Sequence, residues 1–133
     1  MKAIVLKEAG NVENLEYVEL KKTTINDGEV LIKVKAISIN PVDIKSRAGK
    51  GVYGRIKTEN PLILGWDISG IIEETKSSDF KVGDKVFGMV NFPGHGKAYA
   101  EYVAVPANQL ALKPKNISFE DAAASTLVAL TAY

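Results

Sequence analysis

Pro61-Leu62-Ile63-Leu64-Gly65-Trp66-Asp67-Ile68-Ser69-Gly70-Ile71-Ile72-Glu73-Glu74 is the stretch whose reading decides the fold. It is dense in β-branched and large apolar residues, which predicts a buried strand opened by Pro61. Glycine inside a strand weakens it unless something must come close. Gly65 and Gly70 therefore predict a kinked strand that turns a barrel corner, with Trp66 and Asp67 pointing into a cleft. A bulge without chemistry is the alternative reading of the same glycines.

On the amino-terminal side, Met1 to Lys7 reads as a short strand and Glu8-Ala9-Gly10-Asn11 as the turn after it. Leu15 to Leu20 carries a weaker strand pattern suited to an edge, and the two are expected to pair. Asn26-Asp27-Gly28 signals a turn. Beyond it, Val30, Ile32, Val34 and Ala36 fall on one face while Lys33 and Lys35 fall on the other, giving a dry side and a wet side. From Ile37 onwards the wet side turns apolar too, which predicts entry into buried surroundings.

Asn40-Pro41-Val42-Asp43-Ile44-Lys45-Ser46-Arg47-Ala48-Gly49 reads as a short helix with both ends marked. Asn40 suits the N-cap, Pro41 the first helical position, Asp43 the third, and Gly49 a left-handed exit. Capping alone accounts for these residues, at about 1 kcal/mol each. Gly49-Lys50-Gly51-Val52-Tyr53-Gly54 matches G-x-G-x-x-G letter for letter but fails on context. That fingerprint follows a strand and opens a helix, whereas here a helix precedes it and Arg55 to Pro61 lacks helical periodicity. A flexible loop bearing Tyr53 is expected instead.

On the carboxy-terminal side, Phe80 to Val90 reads as a hairpin reversed at Gly83-Asp84. Asn91 to Lys97 is a loop with freedom to move, and its His95, the single histidine, is either solvated or a substrate contact. Ala98 to Val105 and Asn108 to Leu112 are further strands. Ser118-Phe119-Glu120-Asp121 starts an alanine-rich helix in the manner of a capping box. Leu127 to Tyr133 continues as a helix apolar all round, which expects burial. The expectation is a longer polypeptide whose remainder packs on Leu127, Leu130 and Tyr133.

Composition narrows the function classes. The 133 residues are 46% hydrophobic and 25% charged with net charge +1, so one domain with a real core fits and no basic surplus favours nucleic acid or an anionic membrane surface. The absence of cysteine excludes disulfides and thiolate zinc sites, and a single histidine excludes a multi-histidine one. The apolar run at Met1 to Lys7 is too short for a signal peptide and no later segment could span a bilayer, so a cytoplasmic protein is expected.

Taken in order, Asn40-Pro41-x-Asp43, Pro61 to Gly70, Val82-Gly83-Asp84-Lys85-Val86-Phe87-Gly88, Tyr99-Ala100-Glu101-Tyr102-Val103 and Leu112 to Tyr133 resemble the amino-terminal half of the medium-chain dehydrogenase/reductase superfamily, in particular its zinc-independent quinone oxidoreductase branch. The resemblance covers essentially the whole chain. It implies a mainly β fold with short helices, a GroES-like, partly open β-barrel. Residues 1–116 would form the catalytic or substrate domain, and 117–133 the start of a helical connection to a Rossmann domain that binds most of the NADPH.

Zinc-dependent members place cysteine where Asn40 stands and histidine followed by glutamate where Trp66 and Asp67 stand. The resemblance therefore implies hydride transfer from NADPH to a quinone or α,β-unsaturated carbonyl without zinc. By the same resemblance, Asn40 would sit beside the nicotinamide at the floor of an open groove, and Thr126 would line the cofactor's reactive end. Tyr53 would stack on the acceptor and donate to its carbonyl, with Trp66 filling the volume of the lost metal site. Trp66 and His95 complete the substrate contacts. Asn40 and Tyr53 would be catalytic, no metal is expected, and the full-length protein would be a homodimer. Each site residue keeps a structural alternative: Asn40 as a cap, Thr126 bonded back to its own helix, Tyr53 as apolar cover. A stand-alone GroES-like assembly module is the rival function, and metal-free oxidation of an alcohol, with His95 as base, a third.

Overall fold

The computed structural model describes residues 1–132. Two strands at the amino terminus, β1 (Lys2–Leu6) and β2 (Leu15–Glu19), pair antiparallel, with Ile4 opposite Tyr17. The long β3 (Glu29–Ser38) leads into α1 (Pro41–Arg47) and the one-turn α2 (Tyr53–Ile56). After these come β4 (Asp67–Thr75), β5 (Lys85–Met89), β6 (Tyr102–Pro106) and β7 (Ala111–Leu112), then α3 (Phe119–Ala124) and α4 (Thr126–Ala132). The second sheet has five strands in the order β6-β3-β4-β5-β7, every neighbouring pair antiparallel. The result is mainly β with short helices, as expected, its strands arranged in one two-stranded and one five-stranded sheet.

The core follows the alternation of β3. Val30 and Ile32 are fully buried with Ile68, Ile72, Val86, Val90, Val103 and Val105, while Lys33 and Lys35 reach solvent. Leu31, on the other face, is buried as well, because Ile25, Tyr102 and Ala104 cover it. The end of β3 differs from expectation. Ile37 and Ile39 are 37% and 65% exposed, so the strand runs out to the surface before α1 begins.

The deciding stretch is split in two. Its second half is β4, where Gly70 takes the close approach that its glycine predicts: an added Cβ would stand 2.3 Å from the Lys33 carbonyl oxygen on β3. Its first half, 61–66, is extended without being a regular strand. Leu6 N–H donates to Leu62 O on one side, while the Lys97, Ala98 and Tyr99 amides donate to Ile63, Gly65 and Leu64 on the other. Gly65 makes the kink at φ +96°, a conformation L side chains rarely adopt.

Three further expectations change. Phe80 to Val82 is not a strand: β5 pairs back onto β4, and Gly83, at φ +94°, lies in the connection between them. The 49–54 segment is not a loose loop, since Gly49 (φ +91°) and Gly51 (φ +54°) turn the chain directly into α2. Asn91 to Lys97 is fastened rather than mobile. Trp66 Nε1–H donates to Gly94 O, Asn91 Nδ2 donates to Gly96 O, and Gly96 lies so close to Gly65 O that no Cβ would fit.

The helices at the carboxy terminus start as predicted. Ser118 Oγ accepts from Asp121 N–H at 3.0 Å, and α3 packs on β3 and β4 with Ala122 and Ala123 fully buried. In α4, Leu127 is half-buried while Val128 and Leu130 are exposed. Tyr133 lies outside the described residues.

Candidate active site

Three chain segments meet at one buried point: the residue before α1, the first residue of β4, and the head of α4. Asn40 is the residue before α1. Its backbone N–H donates to Asp43 Oδ2 at 3.0 Å, half of a capping box, and its side-chain Nδ2 donates to Asp67 Oδ2 at 2.8 Å. The same Asp67 oxygen accepts the Leu127 N–H at 3.3 Å, one residue into α4. Thr126 is buried beside it, and its hydroxyl donates to Ala123 O at 3.3 Å. A carboxylate only accepts, so the amino end of the Asn40 carboxamide must face Asp67 and its oxygen must point away. Asp67 Oδ1 finds no donor among the described residues.

A second carboxylate backs this point. Asp43 Oδ1 accepts from the Tyr99 hydroxyl at 2.7 Å. Burial pushes the Asp43 carboxyl above its ordinary 3.8 and the charge of Asp67 adds to the rise, against the hydrogen bonds from Tyr99 and the Asn40 amide. The Tyr99 phenol is driven up by burial and by its carboxylate partner, so it serves as a donor and stays protonated. Asp43 and Tyr99 also line an apolar hollow of about 260 Å³ with Ile39, Ile44, Arg47 and Leu64, which Asn40, Asp67 and Thr126 do not touch.

The sequence-derived site residues divide accordingly. Asn40, Asp67 and Thr126 are brought together. Trp66 is adjacent in the chain, but its ring is fully buried and its N–H is taken by Gly94 O, so it offers a substrate no surface. It packs with Leu6, Ile56, Leu62 and Leu64 in an apolar cluster. The expected open groove beside Asn40 and Trp66 is not formed by this chain, where Asn40 keeps only 4% of its surface.

His95 is neither solvated nor free. Its Nε2 accepts the Ile63 N–H at 3.0 Å and its Nδ1 lies 3.5 Å from Glu59 Oε2. Burial, helped by the charge of Lys97, lowers its pKa below 6.5, against the pull of Glu59. Tyr53 begins α2 and is half-buried against the Trp66 cluster, where it lines a hollow with Lys57, Glu59 and Asn60. Sequence reasoning missed Tyr99 altogether and saw Asp43 only as a cap. The one available signal was Asn40-Pro41-x-Asp43, and nothing in it says that the second oxygen of Asp43 needs a donor.

Comparison with known proteins covers almost all of the chain. Residues 26–115 match the alcohol dehydrogenase GroES-like domain. The chain is 38% identical to the chloroplastic NADPH-dependent alkenal/one oxidoreductase of Arabidopsis thaliana, over 99% of its own length and 36% of that protein. Among solved structures it is similar to the quinone oxidoreductase of Coxiella burnetii, with 37% identity and a TM-score of 0.94 over 99% of this chain and 43% of that one. It is also similar to the Escherichia coli quinone oxidoreductase complexed with NADPH, with 32% identity and a TM-score of 0.87 over 100% of this chain and 39% of that one. The chain thus spans little more than a third of the curated relatives it matches.

Proposed function

Because this chain belongs to the alcohol dehydrogenase GroES-like domain family, we propose that it is the substrate-side domain of an NADPH-dependent reductase of quinones or α,β-unsaturated carbonyls. The observation that carries this reading is the meeting of Asn40, Asp67 and the head of α4 around a carboxamide of fixed orientation. The polar atoms there suit the nicotinamide end of the cofactor. One edge of a carboxamide suffices for one hydrogen bond, and Thr126 immediately precedes Leu127, whose N–H reaches the same Asp67 oxygen.

The nicotinamide, when bound, supplies the hydride. The chain's own share is to position and to exclude water. Asn40 orients, Thr126 closes the same corner, and Trp66 with its apolar cluster keeps water out from below. Tyr53, half-buried on α2, is the proposed contact for the acceptor's ring. The donor set favours chemistry without zinc: the sequence holds no cysteine, and its one histidine is spent on the Ile63 amide. The full-length protein is proposed to be a cytoplasmic homodimer, which light scattering and cell fractionation test.

The decisive experiment follows NADPH oxidation by the full-length protein with a simple quinone, comparing wild type with Asn40→Ala. We expect turnover in the wild type, and in the variant a loss of about tenfold in kcat/KM for NADPH, the size of one lost hydrogen bond. A wild type inert towards both quinones and enones would defeat the reading. Unchanged kinetics in the variant would remove Asn40 from the site.

A further inference from the structure

Asp67 sits where the Asn40 carboxamide meets the head of α4. It is completely buried, its Oδ2 accepts from Asn40 Nδ2 at 2.8 Å and from Leu127 N–H at 3.3 Å, and its Oδ1 meets no donor among the described residues. For packing alone this is a poor choice, since a buried polar atom without a partner is costly. What a carboxylate does better than any apolar residue is dictate direction. A carboxamide whose two ends are similar in size can turn over, but opposite an acceptor oxygen that the Leu127 N–H holds in place it cannot.

We propose that Asp67 is a positioning residue for the reaction above. It fixes which end of Asn40 is turned to the nicotinamide, and it holds that end in register with α4. This rests on the proposed function, because it assigns Asn40 to the cofactor. Asp67 touches no substrate in this scheme and acts through Asn40.

The test compares Asp67→Ala and Asp67→Asn in the full-length protein, by NADPH Kd from fluorescence titration with Tm measured in parallel. Asp67→Asn keeps a carbonyl oxygen that can accept from both donors, with its amino group on the side where Oδ1 has no partner. Asp67→Ala removes the acceptor. We expect Asp67→Ala to bind NADPH about tenfold more weakly and Asp67→Asn to stay within about threefold of wild type.

The proposal is overturned if folded Asp67→Ala binds as wild type while only its Tm falls, which is the mark of a packing role. It is equally overturned if Asp67→Asn is as impaired as Asp67→Ala. Should Asp67→Ala not fold, Asp67→Ser, too short to reach Asn40 but leaving less void, replaces it under the same criteria. If wild type itself binds no NADPH, the proposed function fails first, and the two failures are told apart by that control.

Discussion

At the scale of single residues, what distinguishes this chain is how few of its polar side chains are idle inside. The Tyr99 hydroxyl donates a hydrogen bond to Asp43, Asp43 also accepts from the Asn40 backbone N–H, and the Asn40 side-chain amide donates to Asp67. His95 belongs to the same economy. Ile63 N–H is a donor, so the Nε2 that receives it must be unprotonated, and protonation would set two donors against each other. Its folded pKa lies below the ordinary 6.5, so between the two values the unfolded chain binds the extra proton. The stabilisation is therefore complete above about pH 6.5 and is lost as pH falls through the folded value. Thermal melts should show wild type losing stability more steeply than His95→Gln, whose amide oxygen can still accept from Ile63, as pH falls below about 6.5. Parallel curves would mean that His95 does not titrate in this way. None of this was legible in the sequence, where a histidine between two glycines reads as exposed. The partner that buries it, Ile63, lies 32 positions away.

At the scale of elements, legibility depended on how local the cause is. The Asn40, Pro41 and Gly49 signals act within one helix and placed α1 correctly. The alternation of β3 did the same until its last residues, where what covers the strand is decided by other segments. The 61–66 stretch was misread as strand because its composition is that of one. Its backbone is instead shared between Leu6 and residues 97–99, a pairing that no local pattern announces. Gly70 was read rightly for a physical reason: a glycine in an apolar run must admit something, and here it admits the Lys33 carbonyl. Gly70→Ala should push β3 and β4 apart at their bulged register and cost about 2–3 kcal/mol, measured by denaturant midpoint. A loss within about 0.5 kcal/mol would show that β3 shifts freely and that the close approach is no constraint.

At the scale of the whole molecule, the family and the mainly β fold class were within reach of the sequence because five short motifs occur in one order. The shape of the site was not. The same burial that brings Asn40 and Asp67 together closes the groove expected beside them. The chain also leaves Val128 and Leu130 on α4 exposed at 58% and 61%. What can be tested at this scale is the metal. A zinc-dependent route needs thiolate or imidazole ligands held by the fold, and the chain has no cysteine and one histidine whose Nε2 is already engaged. Asn40 and Trp66 give their side-chain N–H groups to Asp67 and Gly94. On the proposed function, full-length protein dialysed against a chelator should therefore keep the proposed NADPH-dependent quinone turnover, with well under one zinc per chain by elemental analysis. If activity falls on dialysis and returns with added zinc, the metal is held by ligands outside these residues and the reaction class must be redrawn.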